Sequence, residues 1–490
     1  MSLSTLLPEL REAIADELES RTDLLSLALV SSTFKRHIIP DRLRYHTVAT
    51  NARNPALWAK LSSRPDLARN VRQLVLAHAE PGDFRTQSSS SFWSLHAADH
   101  KPHALPTAAD THGNDIDPEL IAAAFRAMVR VRSVKLQVLN PIHLDFDELE
   151  GPAPLPIPVS FDVIELVAAH FPALTEFSMF TMLSEAGNAL LRRPNHPVCI
   201  LIALLLQLAN LRSLHMEIAS FDPPPSFLPL FEHMLSLSPD LEELHMPYCA
   251  RLYSESESAF EGYHLPSLKR LCLQHLSAPL PTVEERMLHL LDSHPTIEGL
   301  CWSQYVPIQS EIRPKLPCIK HLVACNDNTL RILLADRAPR SAHLESITSL
   351  ELNSGILPAL RSVDPNTLRR VSLASVDSPS TLRAFAAQFP SLIAIALPGV
   401  GIRRERLATL LRTTLRLPLF GPDRWMARRY QHPSFAELMR LFPRAEVVDS
   451  VKCPGVIFER EESDAAVQRF LAKVRARYPR VRRVNGWRVR

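Results

Sequence analysis

The hexamers LRSLHM (residues 211–216), LEELHM (241–246) and LKRLCL (268–273) share apolar residues at positions one, four and six. Positions four and six are two residues apart, so they point to one face of a β-strand, while positions three and five point to the other. Looser copies begin at residues 71, 131, 174, 297, 319, 347, 368, 392, 445 and 481. The pattern therefore predicts thirteen short strands, each buried on one face.

Amphipathic helical stretches separate the hexamers, for example at 382–389 and 435–442, and many of them end at a proline. From residue 174 to residue 392, eight intervals span 218 residues, an average near 27. A strand–helix unit of this size buries its apolar face only by stacking on its neighbours. The period resembles that of leucine-rich repeats. We predict an α/β solenoid with a parallel sheet on one side and helices on the other; the alternative is an open α/β sheet.

One departure from the family pattern concerns the residue three places after position six. Leucine-rich repeats usually carry Asn or Cys there, and only the copy at 241–249 fits this well. The resemblance therefore implies a degenerate array with irregular curvature.

A different pattern occupies residues 3–48. Leu10, Ile14 and Leu18 recur every four positions and so lie on one face of a helix, and Pro8 suits its first turn. The stretch DLLSLALVS (23–31) predicts a second short helix that begins near Thr22 or Asp23. Such a small segment buries little area by itself, so we expect part of its apolar surface to bind a partner.

The order of these residues resembles the F-box, and the tail from Ser31 to Pro40 is similar to fungal versions of that module. The resemblance implies binding to a Skp-family adaptor and, through it, to a cullin. The repeats would then bind a protein substrate of an SCF-type (Skp–cullin–F-box) ubiquitin ligase. By matched positions, the adaptor contact and the small core behind it comprise Leu7, Pro8, Leu10, Ile14, Leu24, Leu25, Leu27 and Val30. The alternative is a binding scaffold without a ligase role, in which these helices only cap the repeats.

The predicted organisation is a helical module at 1–48, a helical connector at 49–70 and a solenoid at 71–490, with a mobile insertion at 81–118. The insertion contains His96, His100, His103 and His112, whose irregular spacing without cysteines favours solvated histidines over a zinc site. The proline-rich segment 151–158 predicts an extended surface loop; for both this segment and the insertion the alternative is a docking peptide.

The composition limits the classes of function. The sequence has no phosphate-binding glycine loop, no G-x-S-x-G, no H-E-x-x-H and no paired C-x-x-C, so we expect no catalysis, cofactor or metal. An enzyme built on the repeat sheet is a distant alternative. The longest apolar run, 198–206, is too short to span a membrane, and the N-terminus does not resemble a signal peptide. Seven scattered cysteines predict reduced thiols in the cytoplasm or nucleus.

Two regions are candidates for binding the substrate. His215 and His245, with Cys272 and Cys301, fall at position five of successive copies and predict an exposed polar row for binding; the alternative is a metal or catalytic site. Residues 401–490 hold 21 Lys+Arg and 9 Asp+Glu, which predicts a basic helix and strand that bind an acidic or phosphorylated protein segment. The alternative is that these residues form a solvated cap on the last repeat and bind nothing. Nucleic acid is disfavoured because no aromatic pattern accompanies the arginines. The candidate substrate-binding residues are His215, His245, Arg270, Arg370, Arg482 and Arg483.

Overall fold

The computed structural model describes residues 6–18, 21–51, 54–77, 118–138, 166–167, 169–182, 208–219, 233–248, 265–275, 288–302, 316–323, 327–334, 343–397, 435–449, 464–484 and 487–489. The chain divides into two compact units, residues 1–259 and 260–490. The predicted insertion up to residue 117, with its four histidines, and the proline-rich segment 151–158 lie outside the described residues.

The first unit begins with helices and continues as strands with helices between them. Its helices are α1 (Pro8–Glu17), α2 (Arg21–Val30), α3 (Ser32–His37), a π-helix (Ile38–Leu43), α4 (Arg44–His46), α5 (Pro55–Ser63), α6 (Pro65–Ala68) and α7 (Pro118–Ala127). Its strands are β1 (Thr47–Asn51), β2 (Gln73–Ala77), β3 (Ser133–Val138), β4 (Glu176–Met182), β5 (Ser213–Ala219) and β6 (Glu243–Tyr248). Each strand pairs in parallel with the next one along the chain.

The second unit continues in the same way. Its strands are β7 (Arg270–His275), β8 (Gly299–Trp302), β9 (His321–Val323), β10 (Ser346–Leu352), β11 (Arg370–Val376), β12 (Ala394–Ala396), β13 (Val447–Asp449), β14 (Arg483–Val484) and β15 (Trp487–Arg488). Its helices are α8 (Asp327–Leu334), α9 (Leu357–Leu360), α10 (Pro379–Gln388), α11 (Phe435–Leu441) and α12 (Asp464–Arg477). The strands pair in chain order and in parallel up to β14, and β15 turns back antiparallel on β14.

The α/β class with a parallel sheet is confirmed. Within each unit the strand order follows the chain, without the reversal that marks a doubly wound sheet, and this order is compatible with a solenoid. The sheet begins at β1, just before the predicted end of the N-terminal module, and the predicted connector contains α5 and α6. No helix within the described ranges is long and apolar enough to cross a membrane.

The apolar positions of the hexamer pattern correspond to the residues that are buried in each copy. Positions one and four are buried in every copy, as in Leu211 and Leu214 of the copy that contains β5. Side chains at position three point to the opposite face and keep some solvent exposure in most copies. The alternation therefore explains why short, weakly similar segments all form parallel strands within their unit.

The predicted copy at 347–352 is wrong by three residues. Ile347 pairs with Leu322 and Val371, which are both at position four, so this copy begins at Leu344. The register shifts after Ile347, and Ser349 has a φ of 56°, as expected for a β-bulge that inserts an extra residue. With the extra residue, Ile347, Leu350 and Leu352 have the spacing of positions one, four and six. Residues 347–352 therefore resemble a hexamer, although the copy begins at Leu344.

Within each unit, backbone hydrogen bonds join neighbouring copies at position two. The carbonyl of Arg72 accepts bonds from the N–H groups of Arg132 at 2.8 Å and Ser133 at 3.1 Å, which are positions two and three of the following copy. The same pair of bonds recurs along both units, for example from Lys320 and His321 to the carbonyl of Glu298 at 2.7 and 2.9 Å. Neighbouring copies are therefore held in a fixed register by the main chain.

Buried side chains add further connections between neighbouring copies. Ser238 Oγ accepts a bond from the N–H of Leu211 at 3.1 Å, and His294 Nε2 accepts one from the N–H of Leu265 at 3.0 Å. Ser238 and His294 both lie three residues before position one of their copies. Polar side chains on the helical side thus satisfy backbone groups of the preceding copy, at a different place from the Asn or Cys of the family pattern.

The helices pack on one another through aromatic side chains. Trp58 of α5 is fully buried and meets Phe125 of α7 edge-on, with ring centroids 5.7 Å apart. Phe125 in turn packs on Phe171 at 4.9 Å. In the second unit Phe385 of α10 packs on Phe442 at 6.4 Å. The core therefore lies between the strands and a layer of helices in each unit.

Candidate docking surfaces

The three N-terminal helices begin where the local sequence favours them. α1 has Pro8 in its first turn, where a missing N–H costs little, and Glu9 beside it favours the positive end of the helix dipole. The Ser31 hydroxyl caps α3 by accepting a hydrogen bond from the N–H of Phe34 at 3.3 Å. α2 begins at Arg21, slightly before the predicted start.

These helices enclose a core of their own. Ala15 of α1 and Phe34 of α3 are buried with residues of α2 and the π-helix. The whole cluster consists of Ala15, Leu24, Ala28, Phe34, Ile38 and Leu43, with Leu18 and Leu27 packed against it. The N-terminal module is thus a small folded body and not an extension of the core between the strands and helices.

The module also leaves large apolar side chains in contact with solvent. Among the described residues seven large apolar side chains are exposed, and six of them belong to this module: Leu7, Leu10, Leu25, Leu29, Val30 and Ile39. Residues three or four places apart share one face of a helix, as Leu25 and Leu29 do. We call these six residues the apolar surface. Large apolar side chains that are exposed together are typical of interaction sites in folded proteins.

The eight residues predicted for the adaptor contact and its core separate into groups. Four belong to the apolar surface: Leu7, Leu10, Leu25 and Val30. Leu24 and Leu27 pack into the core of the module, and Ile14 is half-buried. The side chain of Pro8 lies outside the described part of the chain. Sequence reasoning did not assign Leu29 and Ile39 to the contact, although the four-residue spacing from Leu25 indicates the position of Leu29.

An ionic cluster joins the module to the strands that follow. Asp16 of α1 binds Arg42 of the π-helix, and its Oδ1 lies 2.9 Å from Nη1 of Arg130, between α7 and β3. Burial raises the pKa of the Asp16 carboxyl, but the hydrogen bond from Arg130 and the charge of Arg42 outweigh it and hold the pKa below its usual value. Asp16 therefore stays ionised and fixes the contact between α1 and the second copy of the repeat.

A small cleft lies beside this cluster and is cationic. It is lined by Ala15, Leu18, Leu24, Arg42, His46, Asn70 and Arg72. Burial, with the charge of Arg130 as the next cause, lowers the pKa of Arg72 to about 10. The guanidinium remains protonated at neutral pH, and its Nη1 donates to the carbonyl of Arg69 at 2.8 Å. The arginines around the cleft thus belong to the junction between the module and the first strands.

The predicted exposed row at position five is wrong. His245 is only 4% exposed, and Cys272 and Cys301, which pair in register on β7 and β8, are buried; His215 is half-buried. The rings of His215 and His245 lie 3.8 Å apart between centroids. Parallel strands stand about 4.8 Å apart, so side chains at equal register cover one another. Burial, with the charge of His215, lowers the pKa of His245 well below its ordinary value.

These residues do not form a metal site. Within the described ranges no group of three or more His, Cys, Asp or Glu side chains is placed to hold a metal ion. The stacked pair of His215 and His245 is instead part of the packing of β5 against β6.

The predicted arginines do not converge on one site. Arg270 on β7 is exposed and Arg370 on β11 is half-buried, and four strand spacings separate them, roughly 19 Å. Arg482 is exposed, with Nε 3.2 Å from the Glu446 carboxylate, and Arg483 lies half-buried on β14. The four side chains are therefore separate positions along the sheet of the second unit.

Helix α12 has one apolar face and one basic face. Leu471 and Val474 are buried, and Phe470 and Tyr478 pack against Phe435 of α11 with centroids 5.8 and 5.5 Å apart. The remaining side chains include four exposed cations: Arg469, Lys473, Arg475 and Arg477. Three of them, Arg469, Lys473 and Arg477, are spaced by four residues and share one side of the helix, and we call these three the basic face of α12. The predicted basic helix is confirmed.

Comparisons with known proteins add no relative. No family model matches this chain, and a search of curated proteins finds no match.

Proposed function

We propose that this protein is the substrate-receptor subunit of an SCF-type ubiquitin ligase, with an F-box at residues 1–48 and repeats of the leucine-rich type. The apolar surface carries the proposal. Six exposed apolar side chains on a module of three short helices form a surface suited to another protein. Interfaces of this kind derive most of their energy from a few buried apolar anchors. The partner we propose is a Skp-family adaptor, which connects the chain to a cullin.

The construction of the module favours a docking role over the capping alternative. A cap covers the first repeat with its apolar side chains, whereas here the core of the module is internal and the apolar surface faces solvent. Its link to the repeat through Asp16 and Arg130 is ionic. The repeats then serve as a surface for a protein substrate, and the ligase chemistry belongs to other subunits. We place the protein in the cytoplasm or the nucleus, where such ligases work.

The test is binding of a purified Skp-family adaptor to the full chain, measured by co-purification and by calorimetry. The variant Leu10→Glu with Leu29→Glu places two charges on the apolar surface without touching the core of the module. Because two anchors are lost, we expect affinity to fall by roughly a hundredfold or more. The matched control is Ala56→Glu with Ala59→Glu, which adds the same charge at two exposed positions of α5.

Adaptor binding by the wild type and the control, with loss in the double variant, supports the proposal. Hydrogen exchange in α1 and α2 verifies that the variant module is folded. No binding of the wild type to the adaptor, or equal binding by the double variant, refutes the ligase role and leaves a scaffold whose helices cap the repeats.

A further inference from the structure

The cations of α12 form a line on the side of the helix that faces solvent. Arg469, Lys473 and Arg477 are spaced by four residues, so each lies about 6 Å along the axis from the next. Arg475 is two residues from both Lys473 and Arg477, so it lies on another side of the helix, and Arg480 is exposed just beyond the helix end. From Arg469 to Arg477 the line extends roughly 12 Å along the helix axis, which is long enough to contact a short extended segment of another chain.

The sequence that contains and follows this line has no acidic residue, although Asp464 stands at the first position of α12 and three glutamates precede it at 459–462. Residues 465–484 contain seven Lys+Arg and no Asp or Glu. Within the described part of the chain no ion pair involves the three cations of the basic face or Arg475, whereas Arg482, further along, lies 3.2 Å from the Glu446 carboxylate. Concentrated charge of one sign on a rigid helix attracts an extended partner of the opposite sign.

We infer that the basic face of α12 is a docking site for an acidic segment of another protein, in which carboxylates or phosphoryl groups recur at about 6 Å. Two observations favour a protein over other polyanions. The aromatic residues described at α12 and its end, Phe470 and Tyr478, pack against Phe435, and Arg477 lies 5.9 Å from the centroid of the Tyr478 ring, so neither ring is free to stack on a base. No large apolar side chain among the described residues of α12 is exposed, so the helix lacks the anchors that insert into a lipid surface.

Under the proposed function this segment belongs to the substrate, but the docking site does not depend on the adaptor. The two surfaces lie in different units of the chain. The charge variants of α12 described below leave the apolar surface intact, so adaptor binding and segment binding are read out separately.

The experiment measures binding of fluorescein-labelled polyglutamate, and of a phosphoserine-containing version, to the full chain by anisotropy at physiological salt. The test variant is Arg469→Gln with Lys473→Gln and Arg477→Gln. Loss of three partly screened ion pairs predicts a fall in affinity of roughly tenfold. The matched control, Lys269→Gln with Arg361→Gln and Arg369→Gln, removes three exposed cations spread over other copies and should bind as the wild type does.

A second variant separates charge from side-chain identity. Arg469→Lys with Arg477→Lys keeps the charge and should keep most of the affinity, and hydrogen exchange around Leu471 shows that α12 remains packed. Binding should also weaken steeply as salt is raised, because screening shortens the range of these interactions to about 3 Å at 1 M.

Three results overturn the inference. One is the absence of peptide binding at physiological salt. Another is an equal loss in the dispersed control, which would show that only net charge matters. The third is tighter binding of oligothymidylate or of phosphatidylserine vesicles than of either peptide, abolished by the same triple variant, which would assign the face to nucleic acid or to membrane.

Discussion

Replacing Asp16 by Asn should loosen the N-terminal module from the first repeats. The side chain of Arg42 is only 8% exposed and has Asp16 as its carboxylate partner, while Arg130 binds the same oxygen at 2.9 Å. Asp16→Asn keeps the shape but removes the charge. A buried guanidinium is then left without a counter-ion, and the two cations face each other across a neutral amide.

The magnitude follows from the burial of the two partners. Removing one member of a fully buried ion pair costs about 3–5 kcal/mol. The side chain of Asp16 is 25% exposed, so water replaces part of what is lost. We therefore expect a loss of about 2–3 kcal/mol, which raises the opening equilibrium of the module by roughly 30- to 160-fold.

Hydrogen exchange in peptides that cover α1 and α2 measures this opening directly. Protection in these helices should fall while protection in the strands of the second unit stays constant. The matched control is Asp66→Asn, which breaks the exposed pair of Arg64 and Asp66 and should leave exchange in the module unchanged. Unchanged protection of α1 and α2 in Asp16→Asn would refute the role assigned to the ionic cluster.

The lowered pKa of Asp16 gives the same prediction a pH dependence. A carboxyl whose pKa is lower in the folded state stabilises the fold fully above its ordinary value of 3.8, and this contribution is lost as the pH falls through the folded pKa. Exchange in α1, corrected for its intrinsic pH dependence, should therefore rise on acidification below that value. The rise should be smaller in Asp16→Asn, since the variant has no carboxyl to protonate.

Two further predictions concern packing. Leu24→Ala removes a side chain that is 3% exposed in the core of the module and should lower the free energy of unfolding by about 2–5 kcal/mol. Leu29→Ala removes a side chain that is 72% exposed and should change it by less than about 0.5 kcal/mol. Hydrogen exchange in α2 and α3 compares the two variants, and equal effects would contradict the division between core and apolar surface. His245 has a lowered pKa in the folded state, so the stability of β5 and β6 is complete above the ordinary value of 6.5 and decreases as the pH falls below it. His245→Phe should abolish most of this dependence in exchange measurements on the two strands, and an unaltered pH profile would count against burial as its cause.

Much of the fold follows from local patterns in the sequence. The hexamers predict the strands because burial alternates with a period of two, and every copy contributes a buried first and fourth residue. The register of β10 escaped prediction because Leu350 and Leu352 imitate positions four and six. A bulge at Ser349 is a property of the backbone, and nothing in the residue types marks it.

The candidate surfaces were predictable only in part. Four-residue spacing identified an apolar module, but which leucines face solvent depends on how α2 packs against α3 and the π-helix, and no pattern within α2 contains that information. The histidines show the converse case. The alternation of the strands correctly predicted that His215 and His245 lie on the outer face of the sheet. It could not predict that side chains on adjacent strands, such as His215, cover His245 and bury it.

The main-chain bonds at position two have a consequence for how such a protein can change. The carbonyl there supplies the main-chain connection to the next copy, and the side chain is not buried in any of the thirteen copies. Where these side chains contact a neighbouring copy, as Arg212 and Glu242 do, they form solvent-accessible ion pairs that contribute little to stability. Eleven of its thirteen occupants are charged, of either sign, and the other two are Thr175 and Ile393. Mutations at these places alter what the outer surface displays at little cost to the scaffold. The array can therefore drift toward new targets one residue at a time, while its architecture is inherited unchanged.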